Sequence, residues 1–443
     1  MKNMTIGKPL KVILLFALPL YIGQMFQLCY SLIDTRIIGS TLGETSLAAV
    51  GATTSLSDML IEFINGIIAG FGIIISTFYG AKDEEKLKKA IGGTALLGVA
   101  AAAVISVVSL LLLPLILKLL NVSELHLPEA TAYIRIILAG MIATALYNIC
   151  AAILRAIGDS FTPLVFLVIS NVLNIVLDYV CIRYLNMGVS GAAVATVFSQ
   201  ALSALLCFLY MRKKYSELMP DMEGLKPDKE IYGRLLPTGI SMGFMISFVT
   251  LGSLALQTSI NTFGTNVIVA HTAARKATSL FLTPFFVLGT ALATYCGQNL
   301  GAEEYGRIKK GIKDTVFLAF GWCAVVLIVI FLLSPQIIRM ITASSEGEII
   351  DTAALYLKIN GVFYFLPALI CIFRNSMQGF GDKKTPLFSS LIELTGKVVI
   401  AFLLAPVIGY MGVIISEPVV WTVMVIPLFV NMKRNPIFKE VKK

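Results

Sequence analysis

Charge is what this chain has least of. Asp, Glu, Lys and Arg make up 14% of its 443 residues, against about 25% in ordinary soluble domains. Hydrophobic residues make up 57%, and the mean hydropathy is +0.86. A soluble protein of this size would have too little polar surface to face water, which excludes a cytosolic enzyme, a nucleic-acid-binding domain and a disordered chain. The apolar runs are unbroken and do not alternate, which argues against a β-barrel. Cysteine pairing motifs are also lacking. Cys29, Cys150, Cys181, Cys207, Cys296, Cys323 and Cys371 form no CxxC and lie in or beside apolar runs, as small buried hydrophobes do. No nucleotide-binding loop, metal-ligand cluster or hydrolase nucleophile motif occurs. No catalytic residue, metal site or organic cofactor is therefore assigned, and ATP-driven transport by this chain alone is disfavoured.

What the chain does contain is long apolar runs. A membrane-spanning helix takes roughly 20 apolar residues, and twelve such runs fit between residues 10–38 and 411–432. The fourth (131–153) and tenth (353–377) are among them. The expectation is an all-α, multi-pass protein of the cell membrane with twelve transmembrane helices. The net charge of +9 has a simple source in this setting, the excess of Lys and Arg on the cytoplasmic side, and calls for no nucleic-acid partner. Most of the 35 basic residues fall on one set of connections, including Lys82, Lys86, Lys88, Lys89, Arg212, Lys213, Lys214, Arg307, Lys309, Lys310, Lys433 and Lys442–Lys443. The opposite loops 39–48, 119–130 and 341–352 have none. Both termini are therefore expected in the cytoplasm.

The sequence also repeats itself. GAKDEEKLKKAI at 80–91 returns as GAEEYGRIKKGI at 301–312, and LRAIGDSFTP at 154–163 as MQGFGDKKTP at 377–386. Leu18-Pro19 matches Leu236-Pro237, and Met187-Gly188-Val189 matches Met411-Gly412-Val413. Six spans per repeat give two parallel six-helix lobes, 1–211 and 231–443, joined by a cytoplasmic linker at 212–230. A substrate path between the halves is common to transporters built this way. In the repeated turns, Gly158 and Gly381 end a helix, Asp159 and Asp382 cap the next, and Pro163 and Pro386 start it. Arg155 is placed to hold the first turn.

Polar residues inside spans are the functional candidates. The first span carries Gln24, Gln27, Ser31 and Asp34 at spacings of 3, 4 and 3, one helical face. The fifth carries Asn171, Asn174 and Asp178, and the second Asp58, Glu62 and Asn65. Together they suggest a hydrated acidic pocket. The blander reading is interhelical hydrogen bonding, which serves as glue in membranes. It weighs evenly against a functional role for Asn171 and Asn65, and is weakest for Asp34 and Asp178, because carboxylates are costly to bury. Asp58 and Glu62 fall in the outer part of their span, where solvation would account for them. In the second half, Glu393 and Lys397 stand at i and i+4, acid first, as a favourable helical pair. Arg275 lies in the eighth span. Arg374 and Lys358 read as snorkelling to the surface, His271 as a packing residue, and Glu417-Pro418 as a helix break.

These pieces together resemble the multidrug and toxic compound extrusion (MATE) family. The resemblance rests on IDTRIIGSTLGETSLAAVG at 33–51, YGAKD at 79–83, LRAIGDSFTP, SNVLNIVLDY at 170–179 and GQNLGA at 297–302. It implies a V-shaped central cavity between two six-helix lobes and export driven by a proton or sodium gradient. The family's first-helix aspartate falls on Asp34 with its companion glutamine on Gln27, and its fifth-helix pair on Asn174 and Asp178. One branch uses an acid in the seventh helix, and the seventh span here has none, so the coupling ion stays open. The function implied is antiport of organic, cationic and amphipathic small molecules by a single copy of the chain. The alternative is a flippase for lipid-linked oligosaccharides or peptidoglycan precursors, which the basic residues of the second half would suit. A major-facilitator transporter is a further alternative, against which the repeated GD–TP turns argue.

Overall fold

In the computed structural model, residues 3–119, 122–342 and 346–439 are described, and the tail with Lys442–Lys443 lies outside them. Fifteen α-helices are described: α1 Pro9–Leu42, α2 Glu44–Ala81, α3 Glu84–Leu119, α4 Leu127–Ala139, α5 Met141–Ala156, α6 Phe161–Tyr179, α7 Val189–Lys214, α8 Lys229–Ile260, α9 Thr265–Gly301, α10 Tyr305–Thr342, α11 Gly347–Val362, α12 Phe365–Gly379, α13 Lys384–Val399, α14 Ala405–Ile408 and α15 Tyr410–Arg434. Ten helical segments are long and apolar enough to cross a membrane, and two bent pairs bring the total to twelve. The bent pairs are α4 with α5 (41°) and α11 with α12 (54°), the fourth and tenth spans. The second bend has a local cause. Pro367 has no N–H for the carbonyl of Phe363, which accepts from Leu366 instead at 2.9 Å.

The duplication is written into the backbone. Gly43 and Gly264 precede α2 and α9 with φ of 88° and 87°, and Gly158 and Gly381 end α5 and α12 with φ of 89° and 91°. Lys82 and Glu303 take left-handed φ of 57° and 59° in the matched turns. After Gly158, Asp159 accepts from Thr162 N at 3.0 Å and Thr162 Oγ1 at 2.7 Å, and Asp382 does the same for Thr385 at 3.1 and 2.6 Å. Arg155 contributes its carbonyl, which accepts from Gly158 N at 2.9 Å. Pro163 lends its carbonyl to the Tyr147 hydroxyl, and Pro386 lends its own to Ser390. One sequence match needs correcting. Gly188 has φ of 58°, and its counterpart is Gly409, φ 65°, at the start of α15; Gly412 lies inside that helix.

The chain forms two compact units. The first is Leu18–Gly243, and the second takes Met4–Ala17 and the chain from Phe244 onward. These edges differ from the expected lobes 1–211 and 231–443, because packing, not the linker, sets them. In the first unit, Gly66 and Gly70 of α2 meet Gly243 and Gly239 of α8. A Cβ at either α2 glycine would come within 2.8 Å of the facing Cα, so only glycine permits the crossing. The residues expected as a linker pack on α3, with Lys89 Nζ 3.4 Å from Asp228 and Lys86 Nζ 3.2 Å from Glu230. In the second unit, Arg307 donates to the carbonyls of Met4 (3.1 Å) and Gly7 (2.7 Å), and Met4 is fully buried.

Helix α15 runs unbroken through Pro418, so the expected break at Glu417-Pro418 does not occur. Pro418 cannot donate to the carbonyl of Ile414, four residues earlier. The Asn360 side chain of α11 reaches across and donates to that carbonyl at 3.1 Å. Asn360→Leu strands the carbonyl in a buried place and should cost about 1–3 kcal/mol. Pro418→Ala restores the helical donor, so the double variant should recover most of that loss. Thermal unfolding of the purified variants in detergent measures both, and an unrecovered double variant counts against this account.

Candidate functional site

Helices α1, α4, α6 and α7 of the first unit bring their polar residues to one place. Asp34 of α1 and Asp178 of α6 are neighbours whose carboxyl groups influence one another electrostatically. Asn174 Nδ2 lies 3.4 Å from Asp178 Oδ1 and 3.5 Å from Thr196 Oγ1. The Asn174 carbonyl accepts from the Tyr30 hydroxyl. Asn171 donates to Gln27 Oε1 at 3.4 Å, one turn away. Tyr133 of α4 lies close to both carboxylates. Asp34 Oδ1 and Asp178 Oδ2 are buried without a hydrogen-bond donor, and neither acid has an ion pair among the described residues. Two acceptor-only groups held together without a counter-charge are arranged to receive a cation or a proton.

Other candidates fall outside this cluster. Gln24 and Ser31 are exposed. Asn65 donates only to Glu62, at 3.4 Å, on the exposed side of α2. Sequence reasoning missed Tyr30, Thr196 and Tyr133. Tyr30 could have been weighed, since Gln27, Tyr30 and Asp34 at spacings of 3 and 4 share a helical face as well as the set through Ser31 does.

The second unit holds a different arrangement. Glu393 of α13 accepts from Lys397 at 3.0 Å and faces Arg374 of α12 at 3.6 Å. Lys397 also reaches Glu417 of α15 at 3.5 Å, and Glu417 accepts from Arg275 of α9 at 3.1 Å. Five charged residues thus form one continuous chain. Arg374, read from sequence as snorkelling, is instead buried and also donates to Ser389 at 3.4 Å. Its acid lies on the next helix, beyond the turn, so no helical spacing announced it. Gly252 of α8 makes room for the Lys397 stem, since a Cβ there would lie 3.1 Å from Lys397 Cδ. His271 packs edge-on against Tyr356 and Tyr410, with Nδ1 3.1 Å from the Tyr410 hydroxyl.

Residues 19–180 and 241–403 match the family MatE. The chain belongs to this family, and is accordingly a multi-pass membrane transporter and not an enzyme. A probable multidrug resistance protein, YoeA of Bacillus subtilis (strain 168), is 30% identical over 94% of this chain and 91% of its own. A transporter of the MOP superfamily from Pyrococcus furiosus, described by the reverse polarity of its binding pocket, has a TM-score of 0.90 at 25% identity. It is matched over 99% of both chains. An outward-facing multidrug resistance MATE family transporter has the same TM-score, identity and coverage. These relatives do not favour the flippase alternative.

The charge chain predicts an order of stabilities. Removing Lys397 leaves Arg374 with Glu393 and Arg275 with Glu417, two neutral pairs. Removing Glu393 leaves three bases around one acid. Glu393→Gln should therefore cost about 3–5 kcal/mol, Lys397→Met clearly less, and the double variant should fall between. Melting temperatures in detergent give the order, and a Lys397→Met protein weaker than Glu393→Gln would break the scheme.

Proposed function

We propose that the protein is a secondary active antiporter of the cell membrane, with both termini in the cytoplasm. It exports organic, cationic and amphipathic compounds in exchange for a proton or a sodium ion by alternating access, needs no other cofactor, and works as a single copy of the chain. The observation that carries this reading is the Asp34–Asp178 pair, two carboxyl groups inside membrane-spanning helices with no base to neutralise them. Such a pair is costly in the doubly ionised form, because like charges in a low-dielectric site repel. A proton or cation that enters relieves that cost, and its departure restores it. An antiporter needs this occupancy to bias the equilibrium between helix arrangements, or to compete with the exported compound.

The proton is the better candidate for the ion. Sodium wants several oxygen ligands converging on one point. Asn174 spends its carbonyl oxygen on Tyr30 and turns its amide nitrogen toward Asp178, a donor where sodium would need an oxygen. YoeA and the outward-facing neighbour, both described by multidrug resistance, support the choice of cargo.

The test uses proteoliposomes loaded with a fluorescent cationic dye. An imposed pH gradient should drive dye efflux in the parent protein. Asp34→Asn should lower the rate to that of protein-free liposomes while leaving yield and melting temperature intact, and Asp178→Asn should do nearly the same. Undiminished efflux by Asp34→Asn under both pH and sodium gradients would remove the coupling role. Efflux driven by sodium alone would reverse only the choice of ion.

A further inference from the structure

The charge chain of the second unit ends at an open face. Arg275 has a side chain 39% exposed, against 3% for Glu417 and Lys397. Three bases and two acids leave the chain with one surplus positive charge, which is expensive inside a membrane-spanning unit unless an anion answers it. One guanidinium nitrogen of Arg275 is bonded to Glu417. The five donors of the fork are not exhausted by that partner.

Beside Arg275, helix α9 carries Thr272, Lys276, Ser279 and Thr283 at spacings of 4, 3 and 4, which puts them on one face. Thr272, Lys276 and Ser279 are exposed. A polar, lysine-bearing stripe in mid-helix suits water and not lipid. Lys276 adds a second positive charge to that face. The offset of 221 between Gly43 and Gly264 aligns α9 with α2, and it places Asp58 and Glu62 at the positions of Ser279 and Thr283. The same helix face is therefore acidic in one unit and basic in the other. Leu280 and Phe286 of the same helix are exposed beside this stripe.

We infer that Arg275 and Lys276 form a subsite in the second unit for the carboxylate of an amphipathic organic compound. The guanidinium receives the carboxylate, Lys276 adds charge, and exposed Leu280 and Phe286 offer an apolar surface to the rest of the compound. This deepens the export reading by assigning a negative group to part of the cargo, and it rests on that reading only in treating the ligand as cargo.

The test is equilibrium binding to the full chain purified in detergent, with no ion gradient. The probes are a rhodamine bearing a free carboxylate and its methyl ester, followed by fluorescence anisotropy. The parent protein should bind the acid more tightly than the ester. Arg275→Gln and Lys276→Gln should each lower the acid-to-ester affinity ratio about tenfold, the size of one charge-assisted hydrogen bond, and Arg275→Lys should fall between. Should Arg275→Gln fail to fold because Glu417 loses a partner, Lys276→Gln, outside the ion-pair chain, carries the test. Equal binding of acid and ester by the parent, or a ratio unmoved by Lys276→Gln and Arg275→Lys, would overturn the subsite. A ratio that falls as expected, with neither dye exported under any gradient, would uphold the subsite and defeat the antiport reading.

Discussion

Within the hydrocarbon of a membrane there is no water to complete an unfinished hydrogen bond or to solvate a charge, so each polar group must find its partner in the protein. That constraint explains the features of this chain that hydropathy alone does not. Asn360 donates to the carbonyl that Pro418 leaves bare. Leu366 closes the gap that Pro367 opens at the bend between α11 and α12. Arg374, Glu393, Lys397, Glu417 and Arg275 are tolerated because each lies against an opposite charge. Asp34 and Asp178 stand out against this pattern. They are held against each other, and the structure supplies amide and hydroxyl neighbours but no base.

The two units reach these different chemistries on one frame. Asp159 and Asp382 fix an offset of 223 for α6 against α13, and Gly188 and Gly409 fix 221 for α7 against α15. On those offsets Asn174 matches Lys397, and Thr196 matches Glu417. The contact between Asn174 and Thr196 (3.5 Å) in the first unit is therefore the contact between Lys397 and Glu417 (3.5 Å) in the second. The ends of α4 and α11, Ala139 and Val362, are also 223 apart, which sets Tyr133 against Tyr356. One feels the charge of the two acids, the other that of Arg275. The duplicated framework preserves which positions face each other while the side chains differ, neutral groups beside two acids in one unit and alternating charges in the other.

Sequence carried the architecture further than the sites. Apolar run length marked the spans, and the repeated GD–TP turns marked the duplication, because both are local signals. It misplaced the edges of the units, since a GIIAG segment at 66–70 and a GISMG segment at 239–243 read as ordinary apolar helix until they are seen to cross. The acids Asp34 and Asp178 were legible because a carboxylate in a span is conspicuous on its own. Tyr30, Thr196 and Arg374 were not, because a tyrosine or threonine fits anywhere in a membrane helix and an arginine can snorkel. Their roles depend on neighbours on other helices, 22 residues away for Thr196 and 144 for Tyr30 about Asn174, and on Glu393 of the next helix for Arg374. Pro418 misled in the same way, since the repair comes from Asn360 on another helix.

The contrast between the units bears on which of them could exchange an ion. A carboxylate with a resident lysine or arginine is already neutralised, and a proton or metal ion arriving there must compete with a covalently tethered charge that never leaves. Glu393 and Glu417 are in that position, each within 4.0 Å of two basic groups. Binding an ion there would break contacts of the kind whose loss is costly in low dielectric. Asp34 and Asp178 have no tethered cation to displace, so occupancy changes their charge at no cost in broken ion pairs. A site that must load and unload in each cycle cannot carry a permanent counter-ion. By that criterion the first unit is the better place for the coupling chemistry proposed above, and the paired charges of the second are left to hold helices together and to carry one surplus positive charge.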